Sequence, residues 1–181
     1  MRGLRGKTGT VKCSRRLAQV LAAVCATVLF TTTLASCGDP AEITTLQVDV
    51  LLESVAKKLH KIGPSDRSLY GSNHLIGVGT MADEKVDVEM QATVDYTAGS
   101  GEINGFITFT FDDGSVIGVR MVNGSAVAKT DTTSARFFSL LSVIDGTDGY
   151  IGIRGRGTFT GERIDAIGGA VQSRFVLRVE R

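Results

Sequence analysis

Val86-Asp87-Val88-Glu89-Met90-Gln91-Ala92-Thr93-Val94-Asp95-Tyr96 alternates apolar and polar side chains over eleven residues without a break. Successive side chains on an extended chain point to opposite faces, so this period of two gives a strand with one apolar face. A second run of the same kind lies near the C-terminus, where Val171, Ser173, Phe175, Leu177 and Val179 alternate with Gln172, Arg174, Val176, Arg178 and Glu180. Between them come Ile107, Phe109 and Phe111, then Ile117, Val119 and Met121, joined by Asp112-Asp113-Gly114-Ser115. An Asp-Gly pair supplies the positive φ of a tight turn, which marks this connector as a hairpin. Similar punctuation stands at Ala98-Gly99-Ser100-Gly101, Asn123-Gly124-Ser125 and Asp145-Gly146. Seven or eight short strands spaced in this way predict an all-β protein, an antiparallel barrel or sandwich. A closed barrel suits a lone domain best, because it leaves no strand edge exposed.

Upstream of the alternating region the pattern changes. Leu51, Leu52, Val55, Leu59 and Ile62 have helical spacing and predict a short N-terminal helix, while the β-branched stretch from Ile43 to Val50 reads equally as a strand. Gly63-Pro64-Ser65-Asp66 ends whichever element precedes it. The expected organisation is a helix or strand extension over residues 43–66 and a β-barrel over 67–181.

The first forty residues read as a targeting segment. Arg2, Arg5, Lys7, Lys12, Arg15 and Arg16 precede an apolar run from Leu17 to Phe30, interrupted only by Gln19 and Thr27. This is the charged and apolar order of an export signal. The run is 14 residues long, whereas a membrane-crossing helix takes about 20. Leu34-Ala35-Ser36-Cys37 follows at once and resembles the lipobox of bacterial lipoproteins. That resemblance implies a signal peptide over 1–36, cleavage between Ser36 and Cys37, diacylglycerol and acyl chains such as palmitate on the Cys37 sulfur, and a spacer over 37–42. Two or more acyl chains give stable anchoring. The expected location is the cell membrane or the outer membrane, facing away from the cytoplasm, with Gly38 permitting outer-membrane sorting and Asp39 leaving it open. Ser14-Arg15-Arg16-Leu17 resembles part of a twin-arginine signal, but Ala18 and Gln19 replace its bulky apolar pair, so the general secretory route is favoured.

Charge and cysteine content divide along the same line. Six of the 20 Lys and Arg residues and none of the 19 Asp and Glu lie before Cys37. The remainder is net acidic and has no basic stripe with interleaved aromatics, which argues against a nucleic-acid partner. The three cysteines are Cys13, Cys25 and Cys37. Cleavage would leave Cys37 alone, so the domain relies on its core rather than on disulfides, which its length permits.

Ile144-Asp145-Gly146-Thr147, Tyr150, Gly152, Gly155 and Gly157-Thr158-Phe159-Thr160-Gly161 together resemble the glycine-patterned late strands of allene oxide cyclase and dirigent-like barrels, a calycin-like architecture. Phe111 to Ser115 resembles an earlier hairpin of that family. The resemblance implies the barrel fold. It also implies, for allene oxide cyclases, a fatty-acid epoxide held in the barrel while its ring closes. Asp145 and Asp148-Gly149 depart from the family pattern, and the family's polar residues find no match one by one.

On the apolar parity, the barrel interior takes Val86 through Tyr96 with Ile107, Phe109, Phe111, Ile117, Val119, Met121, Ile151, Ile153, Phe159, Phe175 and Leu177. That set contains no carboxylate, histidine or lysine, so general acid/base chemistry lacks its parts and no catalytic residue is assigned. Ser173 is the polar exception, read as a hydroxyl bonded to a neighbouring backbone group. Gly155 and Gly157 share the inward parity, either making room for large neighbours or leaving a cavity for an apolar ligand. Such a cavity would be lined by Met90, Tyr96, Phe109, Phe111, Met121, Ser173 and Phe175. His60 and His74 belong to no spaced ligand set, so neither a metal nor another cofactor is expected. His74 is read as a solvated loop residue rather than part of a barrel mouth. Gly155-Arg156-Gly157-Thr158 lacks the Gly-Lys-Ser/Thr ending of a phosphate loop. Lys57, Lys58, His60 and Lys61 read as a solvated helix face, with attraction to anionic headgroups as the alternative.

These readings converge on a non-enzymatic, membrane-anchored envelope lipoprotein, with membrane lipid as its partner through Cys37 and a small lipophilic ligand or a protein as a further one. The alternative is an isomerase or cyclase of the allene oxide cyclase type acting on a lipid-derived substrate. The oligomeric state stays open.

Overall fold

The computed structural model describes residues 42–130 and 134–181. The signal segment, the lipobox with Ser36 and Cys37, and the spacer up to residue 41 lie outside the described residues. Eight strands follow in order: β1 (Ile43–Lys61), β2 (Ser68–Met81), β3 (Glu84–Thr97), β4 (Ser100–Phe111), β5 (Val116–Ala128), β6 (Ala135–Gly146), β7 (Arg154–Arg163) and β8 (Val171–Glu180). Each pairs antiparallel with the next, and β1 pairs with β8 from Ile43↔Glu180 to Leu52↔Val171, which closes the barrel. The architecture is the all-β antiparallel barrel that the alternating runs predict. Val86, Val88, Met90, Ala92, Val94 and Tyr96 are all buried, and their partners Asp87, Gln91, Thr93 and Asp95 are not.

The predicted N-terminal helix does not form, because residues 51–61 continue β1 as a strand. Leu46, Val48, Val50 and Leu52 face inward, and a bulge between Ser54 and Ala56 then shifts the register against β2. A bulge inserts one unpaired residue and reverses the inward parity beyond it. Leu52 and Leu59 can therefore both point into the barrel although they are an odd number of positions apart. Two period-two runs joined at Val55 thus mimic a helical pattern. The barrel accordingly begins at Ile43, and residues 43–61 belong to its wall rather than to an extension.

One turn signal has a different outcome, and one hairpin carries no such signal. Asn123-Gly124-Ser125 is no turn but a bulge inside β5, with Asn123 at φ 53° and the β5–β6 register shifting between Val122 and Ser125. The buried Ser139 hydroxyl fills that gap, accepting from Val122 N–H (3.1 Å) and lying 2.7 Å from the Leu140 carbonyl. Conversely, Ala82 and Asp83 make the β2–β3 hairpin with φ of 52° and 65°, a left-handed pair without glycine.

The middle of the barrel is solid. Phe109, Phe159 and Phe175 are fully buried; Phe175 meets Phe109 edge-on at 5.4 Å between centroids and stacks on Phe159 at 5.1 Å. Burying each ring is worth about 1.5–3 kcal/mol, with a further contribution from the ring geometry. The end from which β1 starts is sealed as well. A short 3-10 turn (Asp148–Tyr150) lays Tyr150 on Phe111 at 4.9 Å, and the Arg181 guanidinium caps the Tyr150 ring at 4.6 Å. Ile151, expected inside, follows this turn and is 75% exposed.

Candidate functional site

A plugged middle and one sealed end leave the other end as the place for a site. There the β7–β8 connection, residues 164–170, bends over the opening, and the half of β1 beyond Glu53 pairs with β2 alone. Beneath them is a cavity of about 40 Å³. Phe159 lies at its foot, and Met90, Ala92, Val94, Ile103, Met121 and Val171 form most of the wall. Ile167, Gly168 and Gly169 cover it. Gly168 sits at φ +81° with the Lys57 stem against it, a close approach under strained φ that favours glycine. The volume holds a few water molecules, far below the roughly 300–1,000 Å³ of a drug-sized site. A larger occupant therefore requires the 164–170 loop to move.

The polar groups of this apolar chamber are Arg163, Tyr96, Asn73 and Lys57. Arg163 and Tyr96 are only 2% and 3% exposed. The Arg163 guanidinium lies beside the Tyr96 hydroxyl and stands over the Phe137 ring at 5.4 Å. Burial pushes the Tyr96 phenol above its ordinary pKa, and the guanidinium beside it opposes part of that rise. The arrangement sets a guanidinium and a phenol against the walls of an otherwise apolar chamber.

Of the residues expected to line a cavity, Met90, Tyr96 and Met121 do so. Phe109 and Phe175 do not, because they pack on each other below it, Phe175 also stacking on Phe159. Phe111 is at the sealed end on Tyr150. Ser173 is buried and donates to the Val171 carbonyl at 3.1 Å. Gly155 and Gly157 leave no space, since a Cβ at either would strike the β8 backbone and the side chain of Val179 or Leu177. His74 is not in a loop; it stands in β2, its Nε2 2.9 Å from Glu89 Oε1. The residue missed is Arg163. Continuing the inward parity from Gly155, Gly157 and Phe159 through Gly161 reaches it, but a cation breaks the apolar series that defined the interior.

No family model matches the chain, and no curated protein is significantly similar to it. A similar solved structure is that of a pterocarpan synthase dirigent protein, 15% identical with a TM-score of 0.48, the match covering 77% of this chain and 85% of that one. The barrel described above stands on its own strand pairing.

Proposed function

We propose that the chain is a bacterial envelope lipoprotein, held on a membrane through Cys37, whose barrel end binds a small lipophilic molecule. The observation that supports binding is the buried Arg163–Tyr96 pair in an otherwise apolar chamber under a short loop. Apolar walls with a few placed polar groups are the usual make-up of a small-molecule site. The anchor is supported by Leu34-Ala35-Ser36-Cys37 directly after the apolar run. Native mass spectrometry of the purified protein should show a co-purifying lipophile that Arg163→Met loses while the circular dichroism stays unchanged. Repeated absence of any guest in the unsubstituted protein would overturn the binding reading. Mass spectrometry should also find acyl chains on Cys37, and Cys37→Ser should release the protein from the membrane fraction; an unmodified Cys37 would overturn the anchor.

The same pair supports a second reading, a cyclase or isomerase acting on a lipid-derived substrate. Fixed donors in a water-poor site stabilise negative charge developing on an oxygen. Incubation with an unsaturated fatty-acid epoxide separates the two: faster, stereoselective ring closure abolished by Arg163→Met favours the enzyme, and binding without turnover favours the carrier.

A further inference from the structure

The cavity end of the barrel has a rim unlike the sealed end. The turns at the sealed end carry Asp83, Asp112, Asp113 and Asp148, with Lys85 beside Asp112 and Arg181 over Tyr150. At the cavity end, residues 55–72 of the β1–β2 hairpin hold Lys57, Lys58, Lys61 and Arg67 against Asp66, which Lys61 engages at 2.7 Å. Large apolar side chains stand in water beside these cations: Ile62 at 53% exposure, Tyr70 at 51%, and Ile164 on the β7–β8 loop at 73%. Among the described residues, Asp95, Glu102, Glu162 and Asp165 are the carboxylates of the neighbouring strands and loop, and Lys129 is bonded to Glu162. Aliphatic and tyrosine side chains ringed by cations are the composition of an interfacial membrane contact.

We propose that this rim docks on an anionic lipid surface. Ile62, Tyr70 and Ile164 enter the headgroup layer, and Lys58, Lys61 and Arg67 lie against the phosphates. The inference rests on the lipophile-binding reading, since docking sets the covered cavity against a source of lipophilic guests.

The test uses the lipidated protein reconstituted in phosphatidylcholine vesicles and mixed with acceptor vesicles of phosphatidylcholine alone or with phosphatidylglycerol. Clustering, followed by energy transfer between labelled lipids, should occur with the anionic acceptors alone and fade with added salt. Lys58→Gln and Arg67→Gln should each weaken it about fivefold, Ile164→Ser should weaken it too, and Lys85→Gln at the sealed end should not. Equal clustering with neutral acceptors, insensitivity to the rim substitutions, or clustering of donors without acceptors would overturn the proposal, the last by assigning the rim to a second copy of the chain. Should Cys37 carry no lipid, sedimentation of the protein with the same vesicles decides the docking alone. Arg163→Met separates the two readings: clustering retained with the guest lost upholds docking, whatever becomes of the cavity.

Discussion

Arg163 and Tyr96 project from strands on opposite sides of the barrel, β7 and β3, and bring the guanidinium beside the phenol oxygen where almost no water reaches either. Removing the two partners should have unequal effects. Tyr96→Phe leaves a buried guanidinium without that acceptor and is expected to cost about 1–3 kcal/mol. Arg163→Met keeps length and apolar contact with Phe137 but strips away every polar interaction of the guanidinium, so it is expected to cost more than Tyr96→Phe. Urea denaturation of the two variants checks the order. Greater destabilisation by Tyr96→Phe would show that the guanidinium contributes little to holding the barrel end together.

How far the chain could be read follows from where its side chains alternate. β3 was legible over its whole inward face because nothing interrupts Val86 to Tyr96. β1 was not, because the bulge at Val55 joins two strand patterns into a helical one, and a bulge has no residue signature here. The β2–β3 hairpin was hidden for a related reason: Ala82 and Asp83 adopt positive φ without glycine. The cavity was legible in its apolar wall at Met90, Tyr96 and Met121 but not in its chemistry. Arg163 is absent from the apolar series because a cation breaks it, although the parity of β7 places it inside.

Tyr96 and Tyr150 are both held above the ordinary tyrosine pKa by burial, with Arg163 and Arg181 respectively opposing the shift. A raised folded-state pKa means that the associated stability is intact below the ordinary tyrosine value and is lost as pH rises through the folded one. Ultraviolet titration of the folded protein should show two tyrosines ionising late, and unfolding should become easier over that alkaline range. In Arg163→Met the Tyr96 step should move higher still, because the opposing cation is gone. An unchanged titration would place the guanidinium elsewhere.

Phe175 touches both other rings of the central plug, Phe109 edge-on and Phe159 face to face. Phe175→Ala should cost about 3–5 kcal/mol, since the closed wall cannot collapse onto the void. Phe175→Leu should cost less. If the plug separates the chamber from the sealed end, Phe175→Ala also enlarges the chamber downward. Its denaturation midpoint and its capacity for a longer-chain guest should then move in opposite directions.

Asp49 and Arg174 face each other across the β1–β8 seam that closes the barrel, with the guanidinium donating to both carboxylate oxygens at 2.6 and 3.2 Å. The Arg174 bond holds the Asp49 carboxyl below the ordinary aspartate range. A lowered folded-state pKa gives stability that is present above the ordinary value and disappears as pH falls through the folded one. Both side chains are largely in water, so the effect is modest and screened by salt. Asp49→Asn should therefore lower the thermal midpoint slightly at neutral pH and low salt. The difference from the parent should vanish in strong acid and at high salt; a difference that persists under both conditions would point to backbone disruption of the seam.

Ile167 is the apolar foot by which the β7–β8 loop rests on the core, and Gly168 beside it lets the loop pass over the Lys57 stem. Because the chamber beneath holds only a few waters, the rate at which a guest enters or leaves is set by how often this loop lifts. Ile167→Ala removes part of the contact that keeps it down, and shortening a partly buried aliphatic side chain costs about 1–3 kcal/mol at most. The release rate of a bound fluorescent lipophile should rise by about the factor that energy implies, roughly five- to a hundredfold at the limit. Association should accelerate as well, because opening precedes entry, so affinity changes less than either rate. Stopped-flow measurement of both rates tests this. Unchanged rates would mean that guests enter elsewhere, past the half of β1 that pairs with β2 alone, and would move the search for the gate to the segment between Glu53 and Lys61.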